Sequence, residues 1–258
     1  MDKLLSAKLF LLDMDGTLYL GDEVFDGAIE FINKLASTGR KYIYLTNNSS
    51  RAGTDYITRL KKLGFPCEKE NVFTSGMATA MYLKARYKTV YPVGTKAFLN
   101  ELASYGVEFS ENFPDAVVVG FDTELVYEKL RMAVHFLKNG ADFIAANPDL
   151  VCPMPKGEVL PDCGSICALL TASTGKTPKY IGKPDRRMID IIAEDTGIPN
   201  GRIAMVGDRL YTDIAAGVNA ETVTVCVLSG ETTCEMLRGS DIKPDYVFDS
   251  VKDIIEFL

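Results

Sequence analysis

Two acidic side chains follow an apolar run near the start of the chain. The segment reads Phe10-Leu11-Leu12-Asp13-Met14-Asp15-Gly16-Thr17. Because side chains alternate along a strand, Asp13 and Asp15 can face one crevice at its carboxyl end. Their carboxylates repel each other, and a hard cation such as Mg²⁺ relieves that repulsion. Gly16 permits a sharp turn that brings backbone N–H groups near an anion. The alternative is an ordinary Asp-Gly turn with a solvated second acid.

Three further polar segments stand in the same position, each beside an apolar run. They are Thr46-Asn47-Asn48-Ser49-Ser50, Gly182-Lys183-Pro184 and Gly207-Asp208-Arg209-Leu210-Tyr211-Thr212-Asp213. The first offers neutral donors to phosphate oxygens, the second a cation and the third two more acids. Separately, the first segment also fits a helix cap and turn, and the second a solvated lysine. Their order along the chain and their placement at strand ends indicate one site.

These segments depend on the elements that hold them. Short apolar runs alternate with longer amphipathic segments, which indicates βα units around a parallel sheet. Strands are predicted at 8–12, 41–45, 72–73, 89–93, 116–119, 143–146, 202–206 and 222–228. Helices are predicted at 28–36, 55–63, 96–104, 125–138, 165–173 and 186–196, with another beginning near 213. The pattern predicts an α/β fold whose ligand site lies at the carboxyl ends of the strands. Residues 80–180 read as an inserted α/β module, although periodicity alone also allows one continuous sheet.

This ordered set of motifs resembles the haloacid dehalogenase-like (HAD) superfamily, in which DxDGT, a Thr or Ser, a Lys and a GDxxxxD segment form one site. The resemblance covers nearly the whole chain. Three segments are similar to the NagD and p-nitrophenylphosphatase subfamily, namely Thr46-Asn47-Asn48-Ser49-Ser50-Arg51, Asn147-Pro148-Asp149 and Gly182-Lys183-Pro184. The resemblance implies a Rossmann-like core with a parallel sheet, at residues 1–79 and 181–258. It also implies an inserted α/β cap domain of the C2 type at residues 80–180.

The resemblance also implies the roles of the acids. Asp13 would be the nucleophile that forms an aspartyl-phosphate. Asp15 would protonate the leaving oxygen and then activate water. Mg²⁺ would be held by Asp13, by the backbone carbonyl of Asp15 and by Asp208, with Asp213 supporting the metal shell from behind.

The remaining site residues follow from the same resemblance. Phosphate and substrate binding is expected of Gly16, Thr46, Asn47, Lys183, Arg209, Leu210, Tyr211 and Thr212. Relatives commonly carry a charged residue where Tyr211 stands, so no single relative's substrate preference transfers to this chain. In the cap, the candidates for substrate selection are Asn147, Asp149 and Asp162, for which turn chemistry is the alternative.

An acid at Asp15 separates the activities within the superfamily. Dehalogenases and phosphonatases lack it, and P-type ATPases carry threonine there. The resemblance therefore implies a Mg²⁺-dependent phosphatase that acts on small phosphorylated metabolites: sugar phosphates, phosphoglycolate-like acids and p-nitrophenyl phosphate. A phosphotransferase or phosphomutase of the same fold, or a non-catalytic phospholigand sensor, are the alternatives. Replacement of Mg²⁺ by Mn²⁺ or Co²⁺ stays open.

Composition limits the classes of partner. The 258 residues carry a net charge of −7, which argues against a nucleic-acid or anionic-membrane partner. A single histidine excludes sites built on two histidine ligands. The six cysteines form no CxxC motif, and neither a signal-peptide pattern nor a membrane-spanning run occurs. We therefore expect a cytoplasmic protein, and relatives with this cap often pair as dimers.

Overall fold

The computed structural model describes residues 2–154 and 157–258. In chain order the strands are β1 (Leu9–Leu12), β2 (Tyr19–Leu20), β3 (Glu23–Val24), β4 (Lys41–Thr46), β5 (Val72–Thr74), β6 (Val90–Val93), β7 (Ala116–Val119), β8 (Asp142–Ala145), β9 (Val151–Pro153), β10 (Val159–Pro161), β11 (Lys179–Tyr180), β12 (Ile203–Gly207), β13 (Val223–Val227) and β14 (Tyr246–Phe248). The helices are α1 (Asp2–Ser6), α2 (Ala28–Ser37), α3 (Gly53–Lys62), α4 (Ser75–Lys84), α5 (Lys96–Ser104), α6 (Tyr127–Lys138), α7 (Cys163–Thr174), α8 (Arg187–Thr196), α9 (Ala215–Asn219) and α10 (Cys234–Gly239).

Packing groups these residues into two compact units. The first unit contains residues 2–46, 56–73 and 183–258, and the second contains residues 47–55, 74–154 and 157–182. The domain boundaries expected from the sequence, at 79–80 and 180–181, stay a prediction. No helix in the described ranges has the length and apolar composition needed to cross a bilayer.

The first unit is built on a six-stranded sheet. Its strand order is β14-β13-β12-β1-β4-β5, and the four pairs from β14 to β4 are parallel. The chain thus adds β4 and β5 beyond β1 on one side of the sheet, and β13 and β14 beyond β12 on the other side. Every residue of β1 is buried, as continuous apolar strands are when both faces of a parallel sheet are covered. On one face α2 packs by Phe31, whose ring centroid lies 6.2 Å from that of Phe10.

The second unit has its own parallel sheet, in the order β11-β8-β7-β6. Val117 and Val119 of β7 share an apolar core with Phe136 of α6 and Leu170 of α7. A separate antiparallel hairpin is formed by β9 and β10. The α/β class predicted from the sequence is confirmed.

Several elements differ from the sequence-based prediction. The helix α4 was not predicted, because eight of its ten residues are buried and it therefore has no polar face to create a helical period. The strands β2, β3, β9, β10 and β11 are two or three residues long, which is too short for a periodic signal. The helix predicted near 213 is a turn of π-helix over Leu210–Ile214 that continues into α9.

Candidate active site

The carboxyl ends of β1 and β12 bring two of the predicted acids to one sheet edge. Leu12 pairs with Val206 in the parallel sheet, and the N–H of Asp13 donates to the Val206 carbonyl over 2.9 Å. Asp13 and Asp208 therefore lead out of neighbouring strands at the same edge. The chain builds in opposite directions from these two strands, and such switch points open a crevice for ligands in α/β sheets.

Asp213 reaches the same place through the π-helical turn. The backbone N–H of Arg209 donates to Asp213 Oδ2 over 3.1 Å. A Cβ on Gly207 would lie 2.3 Å from the Asp213 Cβ, so glycine is needed for this close approach. Single π-helical turns occur frequently at functional sites, because they redirect a side chain that an α-helix would place elsewhere.

Three carboxylates and one ammonium group form what we call the acid cluster: Asp13, Asp208, Asp213 and Lys183. One carboxylate oxygen from each acid lies within 4.8 Å of the other two. Lys183, with 2% of its side chain exposed, donates from Nζ to Asp13 Oδ1 over 2.6 Å and to Asp213 Oδ1 over 2.5 Å. Burial alone would lower the pKa of Lys183, but the two carboxylates outweigh it and raise that pKa above its ordinary value. The ammonium group therefore stays charged.

The acid cluster carries more negative than positive charge. Burial, and then repulsion from Asp213, raise the pKa of Asp13 well above its ordinary value, although Lys183 opposes them. The same two causes raise the pKa of Asp208 to about 6. Buried carboxylate oxygens with this excess of charge fit a hard divalent cation such as Mg²⁺.

Asp15 and Gly16 form the turn that follows β1. The side chain of Asp15 is exposed. Gly16 has a φ of +89°, and a Cβ there would lie 2.4 Å from Asp208 Oδ2. The N–H of Gly16 donates to the Tyr19 carbonyl over 2.8 Å, and its own carbonyl accepts from the Ser229 hydroxyl over 2.9 Å. Both the backbone conformation and the contact with Asp208 therefore require glycine.

One loop that contacts the acid cluster, residues 229–232 after β13, is not among the segments predicted from the sequence. The N–H of Glu231 donates to Asp208 Oδ2 over 2.7 Å, and the N–H of Thr232 donates to the Asp208 carbonyl over 3.1 Å. A Cβ on Gly230 would lie 2.0 Å from Asp208 Oδ2. The signal was present, because Ser229 and Gly230 follow an apolar strand in the same way as the other site segments.

The four residues expected at the edge of the site divide into two pairs. Leu210 and Thr212 are buried, and Leu210 packs in a small apolar cluster. Tyr211 is 50% exposed, and its hydroxyl donates to Glu231 Oε1 over 2.8 Å. Arg209 Nε lies 2.9 Å from Glu231 Oε2. Arg209 and Tyr211 are thus the members of this segment that reach the edge.

The predicted phosphate ligands Thr46 and Asn47 lie next to each other but in different units. Thr46 is buried at the end of β4. Asn47 belongs to the second unit, where its amide donates to Asp149 Oδ2 over 3.0 Å. Its carbonyl accepts from the amide of Asn147 over 2.5 Å and from the Ser75 hydroxyl over 2.6 Å. Asn147 and Asp149 therefore hold Asn47, and the binding roles of all these residues stay predictions.

Asp162, the third candidate for substrate selection, begins α7. Its carboxylate accepts from the N–H of Cys163 over 2.5 Å, and its side chain is buried. Capping a helix N-terminus accounts for these contacts, so a role in substrate selection stays a prediction.

Comparisons with known proteins cover almost the whole chain. Residues 10–108 match the model of a family described as haloacid dehalogenase-like hydrolase, and residues 180–254 match a HAD-hydrolase-like model. An acid sugar phosphatase of Staphylococcus saprophyticus is 35% identical, covering 97% of this chain and 98% of its own. The 5'-nucleotidase YutF of Bacillus subtilis is 36% identical, with coverage of 97% and 98%.

Solved structures agree with these sequence matches. A 4-nitrophenylphosphatase from Thermotoga maritima has a TM-score of 0.94 and 41% identity, covering 98% of both chains. NagD from Escherichia coli has a TM-score of 0.90 and 32% identity, covering 96% of this chain and 98% of its own. The predicted subfamily resemblance and the predicted enzyme class, phosphatase, are confirmed. The acid cluster and these matches lead to one conclusion: the chain belongs to the haloacid dehalogenase-like hydrolase family.

Proposed function

We propose that this chain hydrolyses small phosphate monoesters, with Mg²⁺ as cofactor and with an aspartyl-phosphate formed on Asp13. The observation that carries the proposal is the 2.6 Å contact between Asp13 and the buried ammonium group of Lys183. A carboxylate beside a fixed cation suits phosphoryl transfer, because the cation neutralises the charge on the phosphoryl oxygens as the transition state forms.

Two bond exchanges complete the reaction. An oxygen of Asp13 attacks phosphorus, the ester P–O bond breaks, and Asp15 gives its proton to the departing alcohol. Water then attacks phosphorus, passes a proton to Asp15 and breaks the bond to Asp13, which releases inorganic phosphate. The exposed carboxyl of Asp15 suits a proton carrier, and such help contributes about 10²–10⁴-fold to the rate.

Asp13, the carbonyl of Asp15 and Asp208 are the residues that we assign to Mg²⁺. The excess of negative charge in the acid cluster supports this assignment. Bound there, the cation supplies further neutralisation of the phosphoryl oxygens. Asp213 already bonds to Lys183 and to a backbone N–H, so we assign it to orienting its neighbours.

The other predicted residues complete the proposal. We propose that Thr46, Asn47 and Lys183 bind the transferring phosphoryl group. We expect residues 80–180 to act as the cap that selects the substrate. Similar relatives are named as a sugar phosphatase and as a nucleotidase, and the chemistry that they share is a phosphate monoester. The cytoplasmic location and the dimer stay predictions.

Phosphate release from a panel of small esters tests the proposal, with Mg²⁺ and with EDTA. Wild type should release phosphate only with the metal, and Asp13→Asn should lose that release. Asp195→Asn is the matched control, because Asp195 is exposed near the end of α8, which leads to the opposite end of β12. Full activity of Asp13→Asn would contradict the nucleophile. Folded wild type that releases no phosphate would instead favour a phosphotransferase or a sensor.

A further inference from the structure

Glu231 connects the acid cluster to the solvent-facing edge of the first unit. Its backbone N–H donates to Asp208 Oδ2 over 2.7 Å. Its carboxylate accepts from the Tyr211 hydroxyl over 2.8 Å and lies 2.9 Å from Arg209 Nε. The side chain of Glu231 is 38% exposed. A single residue thus touches a proposed metal ligand with its backbone, and both Arg209 and Tyr211 with its side chain.

The carboxylate of Glu231 cancels the charge that Arg209 presents at this edge. An arginine guanidinium is always charged in the working pH range, so Arg209 carries a full positive charge. Arg209 Nε makes no hydrogen bond of good geometry within the described ranges, and its contact with Glu231 is an ion pair. With Glu231 in place the pair is neutral, and without that carboxylate the edge would carry a positive charge.

We propose that Glu231 determines the charge preference for the leaving group, by disfavouring esters whose alcohol carries a carboxylate. The inference rests on the proposed phosphatase function and refines its substrate class to esters of neutral or cationic alcohols. A carboxylate near this edge meets the negative charge of Glu231, and Arg209 offers it little attraction because it is already paired. A hydroxyl or ammonium group meets no such repulsion.

Three esters of equal chain length test this preference: phosphoglycolate, 2-hydroxyethyl phosphate and phosphoethanolamine. Their alcohols end in a carboxylate, a hydroxyl and an ammonium group. Glu231→Gln keeps an acceptor oxygen for Tyr211 and the N–H that serves Asp208, but removes the charge. We expect the kcat/KM of phosphoglycolate relative to 2-hydroxyethyl phosphate to rise about 5-fold or more, the effect of one unit charge a few ångströms away near a protein surface. The relative kcat/KM of phosphoethanolamine should fall.

Two variants separate charge from other effects. Glu194→Gln makes the same charge change on the exposed last turn of α8, and it should leave both ratios unchanged. Tyr211→Phe removes a hydrogen bond to Glu231 but keeps both charges, so the phosphoglycolate ratio should move less than about 2-fold, as for a weak surface contact. In wild type, raising the salt concentration should narrow the difference between the carboxylate and hydroxyl esters, because salt screens exposed charges.

The outcomes distinguish this inference from the proposed function. Release from all three esters with unchanged ratios in Glu231→Gln would overturn the role of Glu231 and leave the phosphatase standing. A wild type that already prefers phosphoglycolate over the hydroxyl ester would also overturn it. Absence of release from every ester in wild type would overturn the proposed function, and the inference with it.

Discussion

Replacing Lys183 with methionine removes the ammonium group that contacts the buried Asp213 and the partly buried Asp13. Its Nζ lies 2.6 Å from Asp13 and 2.5 Å from Asp213. At an effective dielectric constant of about 20, each contact is a gross attraction of about 6 to 7 kcal/mol, most of which the desolvation of the charged groups offsets. Methionine leaves both carboxylates without their cation. We therefore expect Lys183→Met to lower the free energy of unfolding by about 3–5 kcal/mol, the usual cost of removing one member of a buried ion pair.

Urea unfolding followed by circular dichroism, in EDTA, measures this cost. Lys61→Met is the control, because the ion pair of Lys61 with Glu68 is exposed and its loss should cost less than about 1 kcal/mol. The double variant Lys183→Met with Asp213→Asn removes one orphaned charge, so its cost should fall below the sum of the single costs by about 1–3 kcal/mol. Additive costs, or a loss below about 1 kcal/mol for Lys183→Met, would refute the electrostatic reasoning.

Three further predictions concern the turn at Gly16, the buried acid Glu101 and the hydrogen bond from Asn147 to Asn47. Gly16→Ala should weaken Mg²⁺ binding measured by calorimetry, because its Cβ would lie 2.4 Å from Asp208 Oδ2; unchanged affinity would contradict this. Burial raises the pKa of Glu101. Between the ordinary pKa and this raised pKa, the native protein therefore binds more protons than the unfolded chain, and its stability falls as the pH rises across that range. Urea unfolding at several pH values should therefore show that the free energy of unfolding falls less with rising pH in Glu101→Gln than in wild type. Equal falls in the two proteins would contradict this prediction. Asn147→Ala removes the donor to the Asn47 carbonyl and should raise the KM for p-nitrophenyl phosphate, whereas unchanged kinetics would exclude a positioning role.

The assembly of the acid cluster could be predicted from residue types and strand ends. Asp13, Lys183, Asp208 and Asp213 are far apart in the chain, but each follows or closes an apolar segment. Parallel strands place their carboxyl ends at one edge, and three of these residues share that edge through β1 and β12. The rule needs only the strand assignments, which the apolar runs predict well.

Other features of the structure have no comparable signal in the sequence. The helix α4 is buried on nearly all sides, so its sequence has no polar stripe. Glu231 is an ordinary acid in a loop, and only the folded chain shows that it meets Arg209 and Tyr211. Leu210 is predicted at the edge of the site but is buried, because the π-helical turn buries four of its five residues and leaves only Tyr211 exposed.

The amino-acid sequence shows which chemical groups this protein carries: the carboxylate that we propose as nucleophile, a second acid, a lysine and two further acids, in an order that resembles one family. Residue type decides which groups can carry charge or donate a proton, and this information is local. Which of these groups touch each other depends on the tertiary structure. The bonds from Lys183 to two acids, the shift in the pKa of Asp208 to about 6 and the pairing of Glu231 with Arg209 all depend on distance and burial. Distance and burial arise from packing among distant segments, which no single stretch of sequence contains.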